Sequence, residues 1–487
     1  MDALENTGGP VRRLSIPVML AFGVGGVGQA AVTMGIYGFL LFYYQQVIGL
    51  SGSLTGLALG VALAFDGFSD PLVGAVSDRF RGRYGRRHPM MLLAIVPTAI
   101  SFIFLYSPPD ELSQTGYFVW LTFFTVLVRT AITFFNIPHL ALGAEMAKDY
   151  EQRSTLFAFH TVIAGVGGAA LGFSVYWIIF PTTEAFNPGT LNPDGYIVFA
   201  FAAAIIMSVT MLATVLGTSQ EIPYLRETET HAKLSVLSVF REMSEVFRDR
   251  DFLAIFLGFL LWYLFGFIEM VGMPFMGLHF WGFQTEQMAF APAATLIALP
   301  LALWLIPIAT RVFDKKMTLF ASALTAIVLP NILICARLLD ASWYPENGSP
   351  WVLYNYLGAV LVGAVASTIC GATYYSIYAD IADSHELKTG KRREGAIFST
   401  QQFASKAAGA LGLMIGGGVL DFIDFPKMAA QGSVESQTIW ELGFFVGPAT
   451  SIFSLVGIGL FLFYGIDKAR HAQIVEALAG RRDNDKV

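Results

Sequence analysis

Five ionisable residues stand inside long apolar stretches of this chain: Asp66, Asp70, Arg129, Glu269 and Lys406. On an insertion scale, Asp, Lys or Arg at the centre of a membrane-spanning helix costs about 2.5–3.5 kcal/mol, so two bare aspartates in one helix would cost roughly 5–7 kcal/mol. Such residues persist where they face a wet cavity or one another, and they mark functional sites by default. Asp66 and Asp70 are spaced i, i+4 and share a helix face, with Ser69 three residues from Asp66 on its flank. Two carboxylates and a hydroxyl are hard oxygen ligands suited to a small cation. A carboxylate held protonated would carry a proton instead. A structural reading stands beside these: both aspartates pair with Arg129 or Lys406 and lock two helix bundles together.

The other candidates have wider choices. Lys406 lies near the middle of its apolar segment, as a counter-ion for the Asp pair or as the group coupling two ligands. Arg129 suits an anionic group, solute hydroxyls or a structural bridge. Glu269 precedes Pro274, where a helix break is expected. With Arg129, Asn136, Gln29, Gln401 and Gln402 it completes the candidate solute contacts. Asn136, His139 and His160 are each, taken singly, more often interhelical contacts than ligands. Asp380, Asp383, His385 and Glu386 resemble a metal cluster, but they are expected in a loop beside Lys388 and Arg392. That setting favours a charge network gating one face, formed by Asp380, Asp383, Arg392 and Arg393 with Asp78, Arg79, Arg86 and Arg87. No metal site and no cofactor beyond a coupling ion is expected.

These residues need a scaffold, and composition names its solvent. Of 487 residues 55% are hydrophobic and 14% charged, against about 25% charged in soluble domains. A surface for water cannot be made from this composition, so the expected partner is the lipid bilayer. A net charge of −6 without a basic aromatic stripe gives no footprint for nucleic acid. Cys335 and Cys370 both lie in apolar segments, which leaves no disulfide framework. The first apolar run, about 15–44, far exceeds a signal-peptide core of roughly 7–15 residues and should be retained.

A span needs about 20 apolar residues. That ruler gives segments near 15–46, 53–76, 89–107, 116–146, 156–180 and 195–217, then 252–281, 286–311, 317–338, 351–379, 396–421 and 439–466. The expected fold is an all-α membrane protein of twelve transmembrane helices in two pseudo-symmetric six-helix bundles. The first bundle takes residues 1–217 and the second 252–466. A linker at 218–251 with helical spacing tethers them on the membrane surface, and 467–487 form a tail. Lys and Arg crowd alternate gaps, from Arg79–Arg87 and Lys148 through the linker to Lys315, Lys388–Arg393 and the tail, while the opposite gaps hold little beyond Lys427 and Arg337. Basic loops face the cytoplasm, so both termini should lie inside, with the chain in the plasma (inner) membrane. Asn347-Gly348-Ser349 is a glycosylation sequon, but between Pro345 and Pro350 it reads more simply as a turn.

Gly-x-Ser-x-Gly, His-Glu-x-x-His and P-loop motifs are missing from the sequence. Transport would then draw on a gradient. A membrane enzyme or a non-transporting sensor is the rival from another class.

Three blocks carry a resemblance: DGFSDPLVGAVSDRFRGRYGRRHPMML, NIPHLALGAEMAKDYEQRSTL and ADIADSHELKTGKRREGAIFSTQQFASK. They resemble the glycoside–pentoside–hexuronide:cation symporter family, which includes melibiose permease, within the major facilitator superfamily. By that resemblance Asp66 and Asp70 look like the family's cation-binding carboxylates, and Lys406 like its lysine linking cation and sugar sites. Asn136 falls where the galactoside carriers have a substrate-binding Asp. Their helix-1 Asp corresponds to Ala30 beside Gln29, and their helix-4 Trp to Leu140. The resemblance implies a cation site without a galactoside pocket. The expected activity is symport of a small polar solute (a sugar, glycoside or uronide) with Na⁺ or H⁺, by a monomer. A lysolipid or other amphiphile is the alternative cargo, for which 42 Phe offer a path.

The alternating charge yields a direct test. Reporter fusions after residues 50, 110, 190 and 345 should read outside, and fusions after 85, 150, 235 and 390 inside. One inversion between neighbouring sites would overturn the twelve-span count.

Overall fold

A computed structural model describes residues 13–80, 82, 84–147, 149–225, 246–390 and 394–484; most of the linker, with Lys148 and the Arg392–Arg393 pair, lies outside them. Among the described residues there is no strand. Eleven helical stretches are long and apolar enough to cross a bilayer. The first six are α1 (Ile16–Ile48), α2 (Gly52–Arg79), α3 (His88–Leu105), α4 (Gln114–Met146), α5 (Glu151–Ile179) and α6 (Pro193–Tyr224). After the linker comes α7 (Arg250–Phe280). The next stretch, Thr285–Leu338, has 54 residues, about 81 Å at 1.5 Å per residue and far more than one bilayer. It breaks at Asp314, whose φ of 63° and ψ of 160° leave the helix; the Asp314 carboxylate accepts the Lys315 N–H at 2.7 Å. The break divides it into α8 (285–313) and α9 (315–338). Then follow α10 (Pro350–Thr389), α11 (Ile397–Phe422) and α12 (Ser436–Phe461), and a tail helix, α13 (Lys468–Asn484). The chain thus makes twelve crossings.

Side-chain caps set several starts: Ser51 accepts from Leu54 N–H, Ser113 from Gly116 N–H, Asp149 from Gln152 N–H and Asn192 from Asp194 N–H. α10 corrects one expectation. Asp380, Asp383, His385 and Glu386 sit on this 40-residue helix, not in a loop. The span ruler measures lipid thickness, whereas backbone hydrogen bonding continues into water until Gly390, at φ 70°, caps the helix.

In the first half, α1 packs on α5 and α6, and α3 on α4 and α6; in the second, α7 packs on α11 and α12. The halves meet chiefly along α2 and α11. Gly52, Gly56 and Gly60 recur every four residues on α2, the small-residue spacing that lets membrane helices touch backbone to backbone. A Cβ on Gly56 would lie 2.5 Å from the Leu413 carbonyl, and one on Gly417 only 2.2 Å from the Gly52 carbonyl. This seam lies toward the end of the molecule away from the basic loops.

Gly417→Val should therefore wedge the seam apart while leaving both bundles intact. A cysteine placed at Ser53 should become more reactive to a water-soluble maleimide in the valine background. Unchanged labelling would mean that the seam does not hold the halves together.

Candidate cation and solute site

The i, i+4 pair on α2 meets a second i, i+4 pair on α4. Arg129 Nε donates to Asp66 Oδ2 at 2.9 Å, and its Nη2 donates to the same oxygen. One turn on, Thr133 Oγ1 donates to Asp70 Oδ1 at 3.2 Å. Lys406 enters from α11 in the other half, forming an ion pair with Asp70 Oδ2 and approaching the Asp66 carbonyl oxygen at 3.3 Å. Tyr37 of α1 closes the group: its hydroxyl accepts from Arg129 Nη1 at 2.5 Å, with the guanidinium 5.5 Å from its ring centre.

Two negative and two positive charges thus neutralise one another at this depth, but the two pairs differ. Asp66–Arg129 lies within the first half, with the Asp66 side chain 7% exposed. Asp70–Lys406 crosses between halves, with the Asp70 side chain 26% exposed. Two oxygens are left over: Asp66 Oδ1 and Ser69 Oγ are buried without a hydrogen-bond partner. A buried unsatisfied polar atom costs about 1–3 kcal/mol, so their persistence on the candidate face favours a ligand-binding role. These two, with Asp70 and Thr133, form an all-oxygen donor set compatible with Na⁺.

The remaining candidates spread around this group. Asn136, two turns along α4 from Arg129, leaves Oδ1 buried and unpartnered, as Gln401 does with Oε1. Gln29 is half-buried on α1 and Gln402 is exposed on α11. His139 is engaged structurally, with Nε2 2.9 Å from the Phe22 carbonyl and its ring against those of Phe22 and His160. Glu269 does not join the Asp pair; it lines a separate cavity in the second half.

Among the described residues, several of the expected gating charges pair within their own halves at the basic end; Arg392 and Arg393 lie outside the described residues. Glu145 accepts from Arg86 at 2.5 Å and Arg87 at 2.7 Å, and Arg87 also reaches Asp78 at 2.7 Å and Ser77 Oγ at 2.6 Å. Arg79 ends α2 beside them. In the second half Lys315 pairs with Asp380 at 2.7 Å, while His471 of α13 lies 3.3 Å from Asp380 and 3.6 Å from Asp383. Among the described residues no ion pair joins the halves at this end.

The opposite end is sealed across the halves. Asp421 accepts from Gly52 N–H at 2.8 Å and Ser53 N–H at 2.7 Å, capping α2 from the far side. Glu286 accepts from Thr182 N–H at 2.7 Å and Thr182 Oγ1 at 2.8 Å. Gln46 Nε2 donates to Pro426 O at 2.8 Å, and Lys427 donates to Gly49 O.

Sequence reasoning missed Tyr37, Thr133, Glu145, Asp421 and Glu286. Thr133 had a signal, since Arg129, Thr133 and Asn136 lie at i, i+4 and i+7 on one face of α4. Tyr37 had none, because one tyrosine on an apolar helix is unremarked.

A twelve-span helical fold with a charged centre between two halves defines a membrane transporter. The chain matches the family described as MFS/sugar transport protein over residues 21–468. It belongs to that family, which bears out the resemblance to the glycoside–cation symporters and places it among transporters rather than enzymes. The isoprimeverose transporter of Lactiplantibacillus pentosus is 23% identical, over 88% of this chain and 84% of its own. The sodium-dependent lysophosphatidylcholine symporter 1 of Gallus gallus is 24% identical, over 97% and 90%. Among solved structures, the xylose transporter XylE from E. coli shares the fold with a TM-score of 0.59 at 16% identity, covering 95% of this chain and 99% of that one.

Removing one partner of a buried ion pair costs about 3–5 kcal/mol. Arg129→Gln should therefore lower the melting temperature sharply in detergent, and adding Asp66→Asn should restore most of the loss. Additive losses would show that Asp66 and Arg129 do not neutralise each other.

Proposed function

We propose that this protein is a cation-coupled symporter of a small polar solute (a sugar, glycoside or uronide) working by alternating access. The observation that carries the reading is the unequal pairing of the two aspartates. Asp66 is held by its own half; Asp70 depends on a lysine from the other. When the halves separate at that depth, Lys406 leaves and a monovalent cation, Na⁺ or H⁺, takes its place on Asp70. Ser69, Thr133 and Asp66 Oδ1 supply further oxygens for Na⁺. The cation thus changes the electrostatic cost of one conformation relative to the other, which is what coupling requires. One cation moving inward at −100 mV contributes about 2.3 kcal/mol.

The solute is held between the halves, with Arg129 and Asn136 on one side and Gln401 and Gln402 on the other, and Gln29 near the axis. A uronide carboxylate would suit Arg129. The basic end faces the cytoplasm of a plasma membrane, by the distribution of Lys and Arg. The cross-half seal then lies outside, so this is an inward-facing arrangement. The Glu145 and Asp380 networks are the faces that meet when the cytoplasmic end closes. One protomer contains every element of the mechanism. A second cargo, a lysolipid, is favoured by the 24% identity with the lysophosphatidylcholine symporter over nearly the whole chain, and by the replacement of all three galactoside-carrier positions, at Ala30, Asn136 and Leu140.

Cation and solute must raise each other's affinity by one factor. Asp66→Asn and Asp70→Asn should each abolish cation-stimulated uptake in proteoliposomes while the protein still inserts. Lys406→Ala should cut concentrative uptake more than equilibrium exchange. Solute binding indifferent to both Na⁺ and pH in the wild type would overturn the coupling assignment, as would both Asn variants keeping the full response.

A further inference from the structure

The second half holds a cavity of about 240 Å³ between α7, α8, α9, α10 and α12, lined by neither Asp66, Asp70, Arg129 nor Lys406. Glu269 lines it. No hydrogen bond or ion pair of the Glu269 carboxylate is found among the described residues. A carboxylate in so apolar a place is costly without positive charge, yet no Lys or Arg lines this cavity. Arg337 touches the wall only from outside it, 5.9 Å from the Trp281 ring and 4.6 Å from that of Phe280. A second acceptor adds to the imbalance. Asn331 commits its amide N–H groups to Ile327 O and Ser451 Oγ, each at 2.9 Å, and leaves Oδ1 buried and unpartnered.

The backbone around the cavity is also unusual. Gly447 faces it with a non-helical φ of −95° and ψ of −106°, inside a π-helical segment of α12 that runs Phe445–Ala449. Pro330 of α9 is another lining residue; Pro274, where the sequence suggested a helix break, does not break α7, which runs on through it into a π-helical turn at Met276–Phe280 that begins with the lining Met276. Irregular backbone at membrane depth is tolerated where it lines a cavity, and π-segments concentrate at functional sites. Three aromatic side chains, Phe265, Trp281 and Tyr356, also line it, in a wall otherwise made mostly of aliphatic and small residues.

We infer that this cavity is a subsite for a positively charged organic group, an ammonium carried on the solute. The Glu269 carboxylate supplies the counter-charge, Asn331 Oδ1 a neutral acceptor, and the three rings a cation–π wall. The space argues against a bare metal ion: about 240 Å³ is roughly eight times the ~30 Å³ share of one water. A neutral sugar would leave the carboxylate uncompensated. The inference rests on the transport reading and narrows its cargo to solutes that carry an ammonium, such as an amino sugar or its glycoside, but its test does not depend on coupling.

The probe is choline, with 3,3-dimethylbutan-1-ol as its uncharged isostere, each titrated calorimetrically into the purified full-length protein in nanodiscs at constant Na⁺ and pH. The wild type should bind choline saturably and at least about tenfold more tightly than the alcohol, as expected of a desolvated charge interaction. Glu269→Gln should erase that preference, and Glu269→Asp should keep part of it. The wild-type preference alone is decisive if the Gln variant proves unstable. Equal affinity for the two probes, no choline binding, an undiminished preference in Glu269→Gln, or displacement of choline by Na⁺ alone would each overturn the inference. None of these outcomes bears on Asp66 and Asp70, whose failure would appear as a lost Na⁺ or pH response instead.

Discussion

Two carboxylates one helical turn apart, in a helix crossing apolar surroundings, demand positive charge within a few ångströms. In this chain the demand is met from two directions, and much else follows from that. Arg129 stands on α4 in the same half, and a bridge between packed helices of one bundle survives rigid-body motion of the halves. Lys406 stands on α11 across the interface. It reaches Asp70 only because the Gly52–Gly56–Gly60 edge of α2 lies directly on the backbone around Gly417. A side chain on either edge would separate the helices by the width of a methyl group or more and lengthen that ion pair. Close backbone packing is therefore what keeps the Asp70 carboxylate paired with Lys406 in this arrangement, and loss of that packing would leave it unpaired.

The two ends of the molecule treat charge differently. At the basic end the described ion pairs close within each half: Glu145 with Arg86 and Arg87, and Asp380 with Lys315 and His471. Among the described residues, none of these pairs crosses from one half to the other. At the opposite end Asp421 and Glu286 bind backbone N–H groups of the other half. Their partners are peptide dipoles at or near helix ends rather than full charges, Asp421 taking the first N–H groups of α2. Water can replace such partners when the halves part, so this seal is firm yet separable.

Much of the fold was legible in the sequence because the bilayer imposes two simple rules. Apolar runs of about twenty residues recur, and basic loops alternate with poor ones. Where the membrane stops dictating, reading by those rules failed: α10 continues through Asp380 and His385 because helical hydrogen bonding outlasts the apolar run. Asp66, Asp70 and Lys406 could be picked out because each is expensive in lipid. Their pairing could not, since Asp66 with Arg129 and Asp70 with Lys406 differ from the reverse only in which turns face each other. Tyr37 and the glycine edge stayed hidden for the same reason. An aromatic or a glycine is ordinary in a membrane helix until a second helix is placed against it.

Reorientation needs energies that a cation can supply. Hydrogen bonds to charged groups are worth about 1.5–3 kcal/mol net, and four such bonds, from Asp421 and Glu286, hold the seal. Hydration recovers part of that when they break, leaving a difference of a few kcal/mol between the two arrangements. The Asp70–Lys406 pair adds a similar increment on the same side, because it too crosses the interface. On the proposed reading, a cation bound at Asp70 would cancel that increment, since the carboxylate would no longer need the lysine. A single ion would on that reading act on the cross-half Asp70–Lys406 pair, where exchanging partners alters the balance between conformations. Had Asp70 found its counter-charge within its own half, as Asp66 does, filling the site would leave the relation between the halves unchanged.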